Sequence, residues 1–361
     1  MWVVRAAVAH RRSLSSKSSS IMPTIPSLVQ TAAHPSAPST FSIAQLNILA
    51  SNLAKPDRFP YVHPPLLDWA IRKEILVRQL TSLQADVLCL EELSDYWTFF
   101  RPTFLALGYD SVYVKRPSGH VSEWSGEKKM DGCGLFFKQS KFRLKEVESV
   151  NFSDEHDRVA LLVLLQEIAT NQLVLVGATH LWWNSSKIDH QMKQLVELHR
   201  EMADLTEFIH AKYTEDLPAG RTVPVVVCGD FNNSPSSQLY KYMENSFLRP
   251  DWTMKSAYAD YRIADGTADT GSNEPLHTTV NFRRCWAIDY IWYSSEHVRP
   301  LSLLEIPSEA ELRSEDGPAG WQDKSLGNLP ADTTTTNQNG IPNSVHGSDH
   351  VPLLATFAFT S

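Results

Sequence analysis

Short apolar runs alternate along most of this chain with longer stretches in which apolar residues recur every three to four positions. FSIAQLNIL, ADVLCLEEL, YDSVYVK, CGLFFK, RVALLVLLQEI, QLVLVGATHL, VPVVVCGDFN, IDYIWYS and PLLATFAF are rich in β-branched and aromatic residues and read as strands. Several are apolar at consecutive positions, which predicts burial on both faces. The spacing predicts helices over 66–83, 97–107 and 187–212. In the last, Met192, Leu195, Met202, Leu205 and Ile209 fall on one face. Many strands with few helices between them predict two sheets packed together and flanked by helices, in one domain over 41–361. Residues 308–344, with RSEDGPAG and LPADTTTTNQNG, lack periodicity and read as a long flexible insert.

A chain of 361 residues with 42% hydrophobic content can bury a full core. Its formal charge of −8 removes any global electrostatic reason to coat nucleic acid, so a polyanion must be held by a local basic patch or a bound cation. Cys89, Cys133, Cys228 and Cys285 are far apart, show no C-x-x-C spacing and read as buried thiols. Residues 1–40 differ from the rest: no Asp or Glu occurs before Asp57, whereas Arg5, Arg11, Arg12, Lys17 and many serines do. That composition suits a mitochondrial presequence followed by a linker. It also suits a disordered basic tail, or an extension ahead of a start at Met22 that would leave the protein cytoplasmic. No apolar run is long enough to span a bilayer, so no membrane partner is expected.

Polar residues keep appearing where the apolar strands stop. Asn47 ends IAQLN, Glu91 and Glu92 end DVLCLEE, His180 ends LVLVGATH, Asp230 and Asn232 end VVVCGDFN, Asp289 opens DYIWY, and Asp349 with His350 precedes the last strand. Taken singly, each has a plain structural explanation as a turn cap or a satisfied imidazole. Six such ends in one chain point instead to a shared site at one sheet edge. Carboxylates and carboxamides, without a thiolate cluster or a His-x-x-x-His pair, favour a hard, oxygen-loving ion such as Mg2+, with Mn2+ as the alternative. Two histidines, one directly after an Asp, offer proton transfer or stabilisation of a phosphoryl oxygen. Hydrolysis of a phosphate ester fits the set. The absence of G-x-x-x-x-G-K-S/T, G-x-S-x-G and G-x-G-x-x-G weighs against nucleotide-triphosphate engines, serine hydrolases and dinucleotide folds.

In order along the chain, QLNIL, DVLCLEEL, KKMDGCGLFFK, ATHLWWNSSKIDHQMKQ, GDFNNSPSS, IDYIWYSSEH and GSDHVPL resemble the signature blocks of the endonuclease/exonuclease/phosphatase superfamily. They are most similar to its branch of carbon-catabolite-repressor deadenylases, Angel proteins and nocturnin. The resemblance implies a four-layer α/β/β/α sandwich with two central, mostly antiparallel sheets, and Mg2+-dependent cleavage of phosphodiesters or phosphomonoesters. It implies a metal held near Asn47, Glu92, Asp289 and Asp349, of which Glu92 is preferred over Glu91 because neighbouring strand residues face opposite sides. Catalytic roles fall to His180, Asp230, Asn232, Asp349 and His350. Asp131, in KKMDGCG, matches a position near the substrate.

Substrate choice is where the chain departs from the pattern. The deadenylases carry Trp-Asp-Pro after the histidine, whereas this chain reads Trp183-Asn184-Ser185. Arg284 stands where an aromatic residue is expected to oppose that proline. Trp183, Asn184 and Arg284 are therefore the candidate substrate contacts, and a strict poly(A) preference is in doubt. The leading expectation is a 3'-to-5' exoribonuclease that releases 5'-nucleotides from single-stranded RNA. The alternatives are a phosphatase acting on the 2'-phosphate of a nicotinamide dinucleotide, a 2',5'-phosphodiesterase, and an inactive RNA-binding adaptor, which the retained acids and histidines disfavour. No leucine-rich repeats precede the domain, so repeat-mediated docking to a deadenylase assembly is not expected, and a monomer is.

Overall fold

A computed structural model of the chain describes residues 28–30, 39–117, 130–154, 156–217, 222–245, 253–264, 272–314 and 340–360. The expected presequence, Met22, Lys128 and Lys129 lie outside the described residues. In chain order the strands are β1 (Leu28–Gln30), β2 (Thr40–Asn47), β3 (Val87–Glu91), β4 (Tyr109–Lys115), β5 (Gly132–Lys138), β6 (Phe142–Asn151), β7 (Val159–Glu167) and β8 (Leu173–His180). They continue with β9 (Val225–Asp230), β10 (Met254–Ser256), β11 (Thr279–Val280), β12 (Cys285–Trp286), β13 (Asp289–Ser294), β14 (Val298–Leu304) and β15 (Leu353–Phe359). The helices of at least eight residues are α1 (Trp69–Ser82), α3 (Ile188–Lys212) and α4 (Gln238–Asn245), with the shorter α2 (Arg101–Ala106), α5 (Tyr261–Ala264) and α6 (Glu309–Leu312) between and after them.

One sheet has the order β1-β14-β15-β2-β3-β5-β4, the other β10-β13-β9-β8-β7-β6, and β11 pairs with β12 alone. All pairings are antiparallel except β2 with β3 and β8 with β9. The consecutive apolar runs end up between the sheets because each central strand is covered twice. Ile43, Val87, Leu135, Leu161, Val176, Val226 and Ile291 fill the space between the sheets. The opposite faces take helices. Leu195, Leu198, Met202 and Ile209 of α3 pack on β7, β8 and β9, with Met192 and Leu205 at the margin. Leu76 and Leu80 of α1 and Phe104 of α2 cover β2, β3 and β5. This is the expected four-layer sandwich.

All nine expected strands and all three expected helices are present. β6 and β14 escape a reading of apolar runs because they lie outside the doubly covered centre. β6 is an edge strand whose FRLKEVESVN sequence exposes most of its residues, and β14 carries Pro300 beside a register shift. The ends of the expected insert 308–344 are built. Ser308 caps α6 with a reciprocal Ser308–Glu311 pair, and Ile341 and Asn343 are buried. The middle, 315–339, lies outside the described residues. Among the described residues no helix is long and apolar enough to cross a membrane.

The topology itself assembles the polar strand ends. Parallel pairing sets Asn47 beside Glu91 and His180 beside Asp230. Antiparallel β13 begins at that same edge, with Asp289 opposite Asp230. His350 bridges to Thr279 just before β15 enters the sheet.

Candidate active site

The strand ends open into a cavity of about 330 Å3 whose lining includes Asn47, Glu92, His180, Asp230, Asp349 and His350 together with Arg116, Arg158 and Trp182. Of the adjacent acids, Glu92 faces this cavity. Glu91 is fully buried in the sheet, where it accepts a hydrogen bond from Gln45 Nε2 at 2.9 Å. Glu92 turns outward because its backbone is left-handed, φ 54°, and its Oε2 accepts from Ala50 N at 2.8 Å. Asn232 and Leu49 are also left-handed, at φ 53° and 57°. Three non-glycine residues in this region around one cavity are held there by surrounding contacts at an energetic cost.

Asp230 sits at the centre. Asn47 Nδ2 donates to its Oδ2 at 3.0 Å and the Asn232 backbone N–H to its Oδ1 at 2.9 Å, while His180 Nε2 lies 3.5 Å and His350 Nε2 3.8 Å from Oδ2. Gly229 makes the approach of β9 to β8 possible: with φ +156°, a Cβ there would sit 1.9 Å from the Thr179 carbonyl oxygen. That is the reason for the glycine in GDFN. Asn232 is fixed by donating from Nδ2 to the Leu181 carbonyl at 3.1 Å.

Asp289 does not face the cavity. Its Oδ1 accepts from Gln45 Nε2 at 3.0 Å and its Oδ2 from Thr278 Oγ1 at 2.6 Å and His350 Nδ1 at 2.8 Å. The arrangement fixes the His350 tautomer with Nδ1 protonated and Nε2 turned to Asp230. Asp289, expected among the metal ligands, holds a histidine here, and with Asp230 and His350 it also forms a group whose ligand atoms lie close enough together to hold a metal ion. The loops around these residues are tied by Arg72. It is buried in α1 and donates from Nη1 to the Ile48 and Gly347 carbonyls and from Nη2 to that of Leu49. Ser348 Oγ adds a bond to the Asn47 carbonyl at 2.6 Å.

Burial sets the ionisation of the centre. It raises the Asp230 carboxyl, with the nearby Asp289 charge raising it further; His350, Asn47 and the Asn232 amide oppose this, leaving it at about 7. Glu91 is pushed well above the carboxylate range, first by burial. Burial alone would lower His350, but Asp289, Asp349 and Asp230 together hold it well above the usual histidine value.

Besides the expected His180, Trp183 and Asp131, the lining holds two arginines, Arg116 and Arg158, that the sequence did not single out. Arg116 donates from Nη1 to Asp131 Oδ2 at 3.1 Å and from Nη2 to Asp157 Oδ1 at 2.8 Å. Asp131 is therefore buried in an ion pair at the cavity edge. Arg158 precedes β7 and lies 5.8 Å from the Trp182 ring centre, and Trp182 also stacks on His156 at 3.7 Å. Burial and then Arg116 pull the Arg158 guanidinium down to about 10. Trp183 lines the cavity, whereas Asn184 does not. Its Oδ1 accepts from Ser186 N and Oγ in a local turn. Arg284 lines the rim, exposed, with its guanidinium 5.0 Å from the Trp286 ring centre. A dispersed basic wall leaves no motif; the only signal for Arg158 was a charge directly before the most apolar strand.

The donor set suits a divalent cation. Asn47, Glu92, Asp230 and Asp349 bring oxygen ligands to one cavity, and the raised Asp230 reports crowded, desolvated negative charge that a cation relieves.

The profile of the Endonuclease/Exonuclease/phosphatase family matches residues 44–350. Nocturnin of Xenopus laevis is 28% identical over 330 residues, covering 89% of this chain and 73% of that protein. The CCR4-Not complex 3'-5'-exoribonuclease subunit Ccr4 of Aspergillus niger is 26% identical, covering 86% and 50%. Among solved structures, that of ANGEL2, a 2',3'-cyclic phosphatase, in complex with adenosine-2',3'-vanadate is 25% identical with a TM-score of 0.69, covering 89% of this chain and 96% of that one.

Proposed function

Because this chain belongs to the endonuclease/exonuclease/phosphatase family, and is thus a phosphoric-ester hydrolase, we propose that it acts as a divalent-metal-dependent 3'-to-5' exoribonuclease. The observation that carries the reading is the convergence of Asn47, Glu92, His180, Asp230, Asn232, Asp349 and His350 on one cavity. Asn47, Glu92, Asp230 and Asp349 would hold the cation. When bound, it offsets the charge of the phosphate and polarises the ester. Asp230, oriented by Asn47 and the Asn232 amide, is placed to take a proton from the attacking water. His180 and the charged His350 direct N–H groups at the phosphoryl oxygens, where negative charge grows during displacement. Asp289 keeps His350 in the required tautomer and stabilises its charge, as the buried carboxylate of a triad does.

A second reading, a phosphatase acting on a nucleotide, is favoured by the small cavity of about 330 Å3 with its cationic wall and by the likeness to a 2',3'-cyclic phosphatase. A substrate panel separates the two: poly(A), mixed RNA, RNA ending in a 2',3'-cyclic phosphate, 2',5'-linked adenylate and phosphorylated nicotinamide dinucleotide, each with Mg2+, with chelator and with Asp230→Ala. Progressive shortening of RNA that stops in chelator and in the variant is expected. Phosphate release without shortening would transfer the assignment to the second reading, and unchanged activity in Asp230→Ala would remove both. We also propose import into mitochondria through the first residues; identical localisation of tagged full-length and Met22-start proteins would overturn it.

A further inference from the structure

We propose that Arg158 is the specificity-determining residue of this cavity, forming charge-assisted hydrogen bonds to a second phosphoryl group of the substrate, adjacent to the one that is hydrolysed. The inference rests on the reading of the cavity as a phosphate-ester site. Ala160 of β7 pairs with Thr179 of β8, so Arg158 sits just past the ladder at the end where His180 stands. The side chain is 6% exposed and lines the same cavity as His180 and Asp230. Its Nε and Nη1 are buried and have no hydrogen-bond partner among the described residues.

The contrast with Arg116 identifies what is missing. Arg116 takes both nearby carboxylates, Asp131 and Asp157, in hydrogen-bonded pairs. Arg158 feels the charges of Asp131, Asp157 and Glu92 only at a distance, and a neighbouring guanidinium opposes it. At about 10 it remains charged at neutral pH. A charge held in a desolvated wall with two N–H groups unused is costly in the free protein. An anionic ligand removes that cost by supplying the acceptors. A guanidinium fork suits the paired oxygens of a phosphoryl group, and Trp182 beside it restricts where the fork can point. The second phosphate has two sources of the same chemistry: the next phosphodiester of an RNA strand, or the pyrophosphate of a dinucleotide.

The first test needs no turnover. In chelator, calorimetric titration of the wild-type chain should show adenosine diphosphate binding about 10- to 100-fold tighter than adenosine monophosphate. Arg158→Gln should erase that ratio and Arg158→Lys should restore part of it. Equal affinities in the wild type, or a ratio that survives in Arg158→Gln, overturn the proposal. A protein that shows the Arg158-dependent ratio yet cleaves nothing sinks the hydrolase reading alone. The source is read from kcat/KM on two substrate pairs: ApApA against ApA, and phosphorylated nicotinamide dinucleotide against adenosine 2'-monophosphate. In one pair the loss in Arg158→Gln should be at least about tenfold greater for the member with the second phosphate. Equal losses within both pairs overturn the proposal. If Arg158→Gln does not fold, Arg158→Lys carries the same comparisons, with a smaller ratio expected because a point charge lacks the fork.

Discussion

On the acidic side, Asp230 at the cavity and Asp289 buried beside it each accept hydrogen bonds on both oxygens, from Asn47 and the Asn232 amide in one case and from Gln45, Thr278 and His350 in the other. On the basic side, Arg116 is paired with two carboxylates while Arg158 keeps two buried nitrogens without a hydrogen-bond partner among the described residues. The acids are bound into a network that fixes direction, in which His350 is a charged donor. The basic wall is half network and half reserve, and what it lacks is an anion. A metal-held phosphate with a second phosphate beside it would satisfy both sides at once.

The sharpest way to break this comparison is to disturb direction without removing a side chain. Asp289→Asn substitutes an amide where Gln45, Thr278 and His350 all donate, so one donor is left facing another. A fall in kcat of about 10^2- to 10^4-fold with KM little changed is expected, and steady-state kinetics measures it. Near-wild-type kcat would mean that the acidic side is not a positioning network.

A smaller effect tests the other wall in the absence of ligand. Arg116→Ala leaves Asp131 and Asp157 buried without their cation and should cost about 3–5 kcal/mol of stability. Arg158→Gln removes an unpaired buried charge and should leave stability equal or higher. Urea denaturation of both variants gives the answer, and equal losses would erase the distinction between paired and reserve arginines.

The smallest expected effect asks whether a buried carboxyl away from the cavity is raised, first by burial and then by the charges of Glu244 and Asp260. Glu274 lies outside the cavity, accepts from Tyr240 Oη at 2.8 Å, and is raised from 4.5 to about 7 by burial, against hydrogen bonds from Ser256 and Tyr240. A folded-state value above the unfolded one means that its contribution to stability is fully present below about pH 4.5 and is lost as pH rises through about 7. Glu274→Gln should therefore gain on the wild type between pH 4.5 and 8, by on the order of 3 kcal/mol. Chemical denaturation at the two pH values would show it. A pH-independent difference would mean that the Glu274 carboxyl is not raised in the folded protein.

Legibility followed the physical constraint on each position. Strands covered on both faces must be apolar throughout, so VALLVLLQE and VPVVVCGD announced themselves, and α3 was visible through the one face it buries. β6, exposed at an edge, carries no such demand and is absent from the expected strands. The site acids were legible because a polar residue at the end of an apolar run is conspicuous and because the blocks occur in a known order. Gln45 and Thr278 were not, since single polar residues near strand ends are ordinary and only their shared acceptor, Asp289, distinguishes them. The same holds for Asn184, whose turn bonds with Ser186 no motif could separate from a substrate contact.

Local order along the chain was thus enough to suggest two packed sheets and to mark the strand ends and the oxygen-donor chemistry, because apolar burial and strand termination are properties of consecutive residues; the four layers were implied by the family resemblance. Only the tertiary structure decided which of Glu91 and Glu92 faces the cavity, that Asp289 serves His350, and that Arg116 is paired where Arg158 is not. Those outcomes depend on a left-handed backbone turn and on partners far apart in sequence, up to the 244 residues between Gln45 and Asp289. Pairing across such distances is set by how the two sheets meet, and no stretch of consecutive residues carries that information.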